Sequence, residues 1–187
     1  LILQYLSWIR DILHGDLGTS YMKNKTVVEL LRTSFMPTLN IAVFAEIIAA
    51  VIGIPLGVLA AKYKGKSASV AISSISLLGM SIPGFLLALF MMMAFCVKIQ
   101  WFPVAGYIPA VNGFAEHIRS ITLPAIALGV PQAALITRTT SNAMLEVLNT
   151  EYIKAAKAKG ASEFTILFKH ALRNALIPII TVCTQSF

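Results

Sequence analysis

Long apolar runs separated by short polar stretches dominate the chain. Three runs exceed the roughly 20 apolar residues that a helix needs to cross a bilayer. They lie at residues 37–61, 67–97 and 121–145. Another apolar run starts at about residue 174 and continues to 187. Residues 1–36 are mixed, with helically spaced apolar side chains and a turn-forming string at 14–20. The pattern predicts an all-α, polytopic membrane protein.

The second run is unusually long, with 31 residues and no charged side chain. At about 1.5 Å per residue, a straight helix of this length would exceed a ~30 Å hydrocarbon core. Pro83 and Gly84 lie inside it. They predict a break or kink, the alternative being that the ends extend beyond the lipid.

The first run carries a small residue at every fourth position. These residues are Ala45, Ala49, Gly53, Gly57 and Ala61. Small side chains at this spacing let helix backbones approach closely in lipid, where van der Waals packing replaces the hydrophobic drive. We therefore predict that the five residues, called the ladder below, form a helix-packing face. Pro55 lies within it and predicts a bend.

Glu46 is the one acidic residue within the apolar runs. A charge at mid-membrane costs about 2.5–3.5 kcal/mol on the translocon scale. Glu46 therefore either faces a water-filled pathway or hydrogen-bonds a neighbouring helix, and the sequence leaves both interpretations open. The other candidate pathway residues are Ser81, Pro83 and Gln132.

Composition agrees with a membrane protein. Hydrophobic residues make up 57% of the chain and charged residues 12%, against about 25% charged in soluble domains. The net charge of +7 does not indicate a nucleic-acid surface, because the basic residues sit beside apolar runs. Cys96 and Cys183 lie inside apolar runs, where cysteine usually acts as a small hydrophobe. The sequence predicts no disulfide framework, metal site or catalytic group.

The loops differ in charge, which predicts the topology. The loop at 62–66 carries three lysines and no acid, whereas the charges of 99–120 cancel. The segment at 146–173 has five basic and three acidic residues, a net charge of +2. By the positive-inside rule, 62–66 and 146–173 are cytoplasmic and 99–120 is external. This alternation also places the helical segment 1–36 outside.

The segment at 146–173 is the longest charge-rich stretch between apolar runs. It reads as two short helices separated by Gly160, which can adopt the positive φ of a helix stop. Tyr152, Ala155 and Ala156 share a face of the first helix, and Ser162 can cap the second. The second helix has an apolar stripe made of Phe164, Leu167, Phe168, Ala171 and Leu172. The segment either presents a surface for a partner or lies on lipid headgroups.

These residues resemble the cytoplasmic coupling loop of ABC-importer permeases. KAAKAKGAS (154–162) followed by KHALRNALIP (169–178) is similar to the dipeptide, oligopeptide and nickel permease family. HGDLGTS (14–20), SIPGF (81–85) and WFPVAG (101–106) resemble further motifs of that family. Lys154 departs from the glutamate of many importers, and Arg173-Asn174 from a proline, but the peptide/nickel branch has the same departures.

The resemblance implies the transmembrane fold of a type I ABC importer in the bacterial plasma (inner) membrane. Its coupling residues would be Glu151, Tyr152, Ala155, Ala156, Lys159, Gly160 and Ala161. It further implies a homologous second permease subunit, two cytoplasmic ATPase subunits that hold ATP and Mg, and an external substrate-binding protein. This chain itself would bind no cofactor. The cargo would be a peptide or a related small solute, such as a nickel complex or glutathione.

Other classes of protein fit the residues less well. The chain has no Walker A string, H-E-x-x-H motif or dinucleotide fingerprint, so we do not expect it to hydrolyse ATP. A secondary transporter also tolerates broken helices and buried acids, but would not need the helix-Gly-helix segment. An intramembrane enzyme would need paired catalytic groups, which the sequence lacks. The chain starts without Met and its last apolar run stops at 187, so we expect one permease domain that is incomplete at both ends.

The loop assignments predict which positions a membrane-impermeant thiol reagent reaches. With Cys96 and Cys183 replaced, Asn112→Cys should be labelled in intact cells, because residues 99–120 are predicted to be external. Lys64→Cys should stay unlabelled until the membrane is opened. Labelling at position 64 from outside would overturn the topology.

Overall fold

The computed structural model describes the backbone of residues 1–187 and every side chain except that of Leu3. Its α-helices are α1 (Ile2–Leu13), α2 (Val27–Lys62), α3 (Ser67–Ser81), α4 (Gly84–Met91), α5 (Phe114–Leu148), α6 (Glu151–Ala158) and α7 (Leu172–Ser186). Two seven-residue segments are π-helical, Met92–Lys98 after α4 and Thr165–Ala171 before α7. The chain divides into two compact units, Leu1–Asn40 and Ile41–Phe187.

The first unit holds α1 and a small antiparallel hairpin. Strand β1 (Thr19–Ser20) pairs with β2 (Lys25–Thr26), with Thr19 opposite Thr26. The turn predicted at 14–20 leads into β1, which includes its last two residues, and is confirmed: Gly15 and Gly18 both have positive φ. The Asp16 carboxylate accepts a hydrogen bond from the Gly18 N–H at 2.8 Å, as short acidic side chains do in turns. The hairpin itself has too few residues to show an alternating pattern.

Helix α2 runs without interruption from Val27 to Lys62. The sequence predicts that the first span begins at Pro37, after a separate segment 1–36, and that division is wrong for the helix. A proline inside a helix removes one backbone hydrogen bond, whereas a break in the helix would leave several backbone groups unpaired. The Thr38 hydroxyl also donates to the Ser34 carbonyl at 2.8 Å next to the proline. The predicted first span, 37–61, is therefore the second part of a longer helix.

The all-α, polytopic class is confirmed. Within the described residues, three helices are long and apolar enough to cross a membrane, and a bent pair can supply a fourth crossing. The three are Val27–Lys62, Phe114–Leu148 and Thr165–Ser186. Helix α5 is the centre of the second unit, because α3, α4 and α7 all pack against it. Its 35 residues make it about 50 Å long, so it extends beyond a ~30 Å hydrocarbon core and beyond the predicted span of 121–145.

The break predicted at Pro83 is confirmed. The helical segments Ser67–Ser81 and Gly84–Lys98 meet at an angle of 91°. Ile82 and Pro83 are extended between them, with ψ of 119° and 132°. Each segment alone, at about 22 Å, is shorter than the hydrocarbon core. The two segments can therefore cross only as one bent span, and the charge contrast between 62–66 and 99–120 supports such a crossing.

The ladder residues are all buried and form one face of α2. A methyl group placed on Gly53 would lie 2.8 Å from the Ala133 carbonyl oxygen and 2.9 Å from Ile136 Cβ. One placed on Gly57 would overlap Thr140 and lie 2.7 Å from the Thr137 carbonyl oxygen. The backbones of α2 and α5 therefore approach more closely than a Cβ atom would allow at either position. This contact is called the α2–α5 seam below.

Leucine in the seam should prevent assembly. Gly53→Leu and Gly57→Leu each force atoms into the α5 backbone, and overpacking costs about 1–3 kcal/mol or more where no side chain can yield. Membrane-inserted yield after mild detergent extraction should fall several-fold for both variants. Val51→Leu is the matched control, because Val51 is 66% exposed on the same helix. Equal yields for the three variants would show that the seam does not limit assembly.

Candidate coupling site

Helix α6 ends in a complete C-terminal capping motif. Gly160, with a φ of 80°, donates its N–H to the Lys157 carbonyl at 2.9 Å. The Ala161 N–H reaches back to the Ala156 carbonyl at 3.2 Å. These two bonds are the pair that define a Schellman motif, which needs a residue with positive φ after the helix. The helix stop predicted at Gly160 is confirmed.

One side chain anchors α6 to the membrane helices. Ile153 is fully buried and belongs to a cluster that joins α2, α5, the second π-helical segment and α7. Its buried members are Val58, Ala61, Ala143, Met144, Ile153, Ile166, Leu167, Ala171, Ala175 and Ile179. Ile153 was not among the residues predicted from helical spacing, which indicated a face made of Tyr152, Ala155 and Ala156. A lone isoleucine between Tyr152 and Lys154 gives no periodic signal.

The opposite side of α6 is open. Tyr152 is 53% exposed, Ala155 is exposed and Ala156 is half-buried at the edge. Small side chains on an exposed helix face allow another surface to approach closely. The remaining predicted coupling residues also lie at this surface, with Glu151, Lys159 and Gly160 exposed and Ala161 half-buried. The structure thus brings together all seven predicted coupling residues, on and directly after one short helix.

The helix that follows is π-helical, so its buried face differs from the predicted stripe. Ser162 caps its start, as predicted, by accepting the Thr165 N–H at 3.3 Å. Phe164 and Phe168 are exposed, at 70% and 47%, while Ile166 is buried. The predicted stripe is therefore wrong at the two phenylalanines. In a π-helix the bonds run to i+5, and the additional residue per turn rotates later side chains away from α-helical spacing.

Two polar contacts connect the coupling segment to its surroundings. The Tyr152 hydroxyl lies 2.6 Å from His170 Nδ1, and the two rings meet edge to face. The Lys62 ammonium, at the end of α2, lies 3.4 Å from the Glu163 carboxylate. This ion pair is exposed, so its contribution to stability is under about 1 kcal/mol. Neither pairing has a signal in the sequence, because the partners are far apart along the chain.

A second polar cluster lies within the membrane-spanning part. The Ser186 hydroxyl donates to Glu46 Oε2 at 2.9 Å, and Gln132 Nε2 donates to the Ser186 carbonyl at 2.9 Å. Glu46, Gln132 and Ser186 thereby join α2, α5 and α7. Each lies 14 to 16 residues from the helix end that adjoins a predicted cytoplasmic loop, a common depth of about 21–24 Å. Glu46 Oε1 is buried and has no hydrogen-bond partner among the described residues.

The other two candidate pathway residues are elsewhere. The Ser81 hydroxyl donates to the Leu77 carbonyl of its own helix at 2.8 Å, and Ser81 is exposed. Pro83 is exposed at the bend between α3 and α4. The structure thus joins Glu46 with Gln132 and adds Ser186, which sequence reasoning missed. Among the described residues, no three His, Cys, Asp or Glu side chains are placed to hold a metal ion.

Comparison with known proteins identifies the family. The family model described as "Binding-protein-dependent transport system inner membrane component" matches residues 53–187, which include α5, the coupling segment and α7. The chain belongs to this family. It therefore has the transmembrane fold of an ABC importer, as the resemblance of the coupling segment predicts, and it is an integral membrane protein.

Several curated relatives are similar along the whole chain. A probable peptide ABC transporter permease protein of Sinorhizobium fredii is 38% identical over 187 residues, which are 100% of this chain and 60% of that protein. An oligopeptide transport system permease protein of Bacillus subtilis is 39% identical, over 96% of this chain and 58% of that protein. A putative peptide transport system permease protein of Brucella suis is 36% identical. The chain spans about 60% of the length of these relatives.

Substitution of Glu46 tests whether its cluster packs helices or carries charge. Glu46→Gln retains a carbonyl oxygen for the Ser186 hydroxyl, so assembly and transport should remain near normal. Glu46→Leu removes that acceptor and should lower the assembled yield, by the equivalent of about 1 kcal/mol for one buried hydrogen bond. Ser186→Ala is the matched control for losing the same bond from the other side. Full assembly of Glu46→Gln with lost transport would favour a charge in the pathway.

Proposed function

We propose that this chain forms the translocation pathway of an ATP-driven importer of peptides in the bacterial plasma (inner) membrane. The observation that carries the proposal is the two-sided helix α6, buried on the side of Ile153 and open on the side of Tyr152 and Ala155. Family membership and the names of the relatives support the transporter class and the peptide cargo.

In this proposal two cytoplasmic ATPase subunits bind the open side of α6. A residue on that side needs to be small so that a groove can close around the helix, and Ala155 meets this need. ATP and Mg would be held by the ATPases, and this chain would bind neither. Closure of the ATPases would then push on α6 as a rigid body.

The push would reach the membrane helices through packed side chains. Ile153 is in the same buried cluster as Val58 of α2 and Met144 of α5, so α6 cannot move far without moving these helices. The α2–α5 seam leaves little free space, so α2 and α5 would move as one unit. Movement of this unit would alternate access between the two sides of the membrane.

A complete importer of this kind would contain further subunits. A homologous second permease would supply the other half of the pathway, and an external substrate-binding protein would deliver the cargo. Peptides are the cargo that the relatives' names favour, and nothing in the described residues points specifically to nickel or glutathione. The main alternative remains a secondary transporter, which would work without nucleotide.

Two substitutions in the coupling segment should disconnect transport from ATP hydrolysis. Ala155→Asp adds a carboxylate to an exposed position, so α6 should fold normally while its docked partner is displaced. Gly160→Val puts a β-branched residue at positive φ, which costs about 1–3 kcal/mol, although a Cβ there would meet no described atom within 4 Å apart from its chain neighbours. Both variants should insert normally and lose most peptide uptake. Ala155→Asp should also release the ATPases during purification.

The control is Lys157→Ala on the same helix. It removes an exposed charge, a change that commonly costs less than about 1 kcal/mol. Uptake and co-purified ATPase should be measured for all three variants in the same membranes. Full uptake with Ala155→Asp would contradict the coupling role, and a nucleotide-independent transporter would then explain the chain better.

A further inference from the structure

A cavity with a mixed polar and apolar lining lies between α2, α3 and α5, in the half of the bundle nearer the coupling segment. Its volume is about 250 Å³. The polar residues that line it are Ser73, Ser76, Thr137, Arg138, Ser141 and Asn142. This volume is below the roughly 300–1,000 Å³ of pockets that hold whole drug-sized ligands, so the cavity can take one end of a solute.

Part of the lining is free to bind a solute. The hydroxyls of Ser76 and Thr137 donate to carbonyls of their own helices, at 2.9 and 2.7 Å. Four other lining side chains make no hydrogen bond or ion pair with a described residue. They are Ser73, Arg138, Ser141 and Asn142. Ser73, Arg138 and Asn142 are exposed, so the cavity is open to solvent and presents a guanidinium, an amide and two hydroxyls without internal partners.

The electrostatics of the cavity favour an anion. None of the described residues that line it carries a carboxylate, so the charge of Arg138 is not neutralised by the lining. A guanidinium stays ionised, and its planar set of N–H donors matches the two oxygens of a carboxylate. Ser141 and Asn142, three and four residues further along α5, can donate from the same helix. The site therefore fits a carboxylate better than a neutral or cationic group.

The depth of the cavity places it in the cytoplasmic half of the bundle. Arg138 lies ten residues before the end of α5 at Leu148, a distance of about 15 Å. Ser73 lies six residues after the start of α3, which follows the lysine-rich loop at 62–66. Both helix ends adjoin segments that the positive-inside rule assigns to the cytoplasm. A solute that leaves towards the cytoplasm would pass this level last.

We infer that this cavity binds the terminal carboxylate of the transported peptide, with Arg138 as its main partner. The inference rests on the proposed function, because it assumes that the cargo is a peptide. The phosphate of an anionic lipid has similar chemistry. An arginine that only reaches the headgroups needs no polar neighbours, whereas here polar side chains on two facing helices line one gap. That arrangement favours a solute in a water-filled space.

Thiol labelling of the cavity tests its charge preference. The assembled transporter, cleared of other cysteines and carrying Ser73→Cys, is studied in inside-out vesicles. Relative to their rates with a free thiol in solution, an anionic sulfonatoethyl methanethiosulfonate should be favoured roughly tenfold over its cationic trimethylammonium analogue, as expected near an unpaired positive charge. Arg138→Gln should remove this preference. Lys64→Gln, which removes a positive charge from the neighbouring loop, should retain it. A preference unchanged by Arg138→Gln would overturn the inference.

Protection experiments identify the source of the anion. Trialanine should slow labelling at least several-fold, trialanine amide should not, and neither should protect the Arg138→Gln variant. Protection that follows the phosphatidylglycerol content of the vesicles and ignores trialanine would assign the site to lipid and overturn the inference. ATP-driven uptake of trialanine is measured separately with the native transporter. Its absence despite protection would contradict the proposed function alone, whereas uptake without protection would contradict this inference alone.

Discussion

The close approach of α2 and α5 is the constraint on which the rest of the second unit depends. Lipid offers no hydrophobic gain when two apolar helices meet, so the contact must come from van der Waals packing over short distances. Gly53 and Gly57 provide it by leaving no side chain between the backbones. Because α3, α4 and α7 all pack on α5, the placement of α2 against α5 also sets where α2 meets the coupling segment.

The buried cluster around Ile153 extends this contact to the membrane surface. It joins two residues of α2, two of α5 and several of the second π-helical segment and α7. A short helix such as α6 has little stability alone, since isolated helices of fewer than about 12–15 residues are marginal in water. Its position therefore comes from tertiary packing and from the Schellman motif at Gly160. Any force on its open side acts directly on the helices that form the bundle.

Features with a local signal could be predicted from the sequence, and features that join distant residues could not. The ladder repeats every four residues and Gly160 interrupts a helical pattern, so both are visible in a short window. Ser186 contacts Glu46 across 140 residues of chain, which no spacing rule detects. The predicted apolar stripe included Phe164 and Phe168 because it assumed α-helical periodicity. The segment Thr165–Ala171 is π-helical, and both side chains are exposed. At Pro37 the cost of several unpaired backbone groups outweighed the helix-breaking tendency of proline.

The division of α6 into a buried and an open side separates two properties that are usually linked. Residues under the helix determine how firmly it is attached, whereas residues on its outer side determine what can hold it. If the proposed ATPase docks on the outer side, sequence change there would alter the choice of ATPase without loosening the attachment. Surface substitutions alone would then adapt such a permease to a different ATPase, or let several permeases share one ATPase.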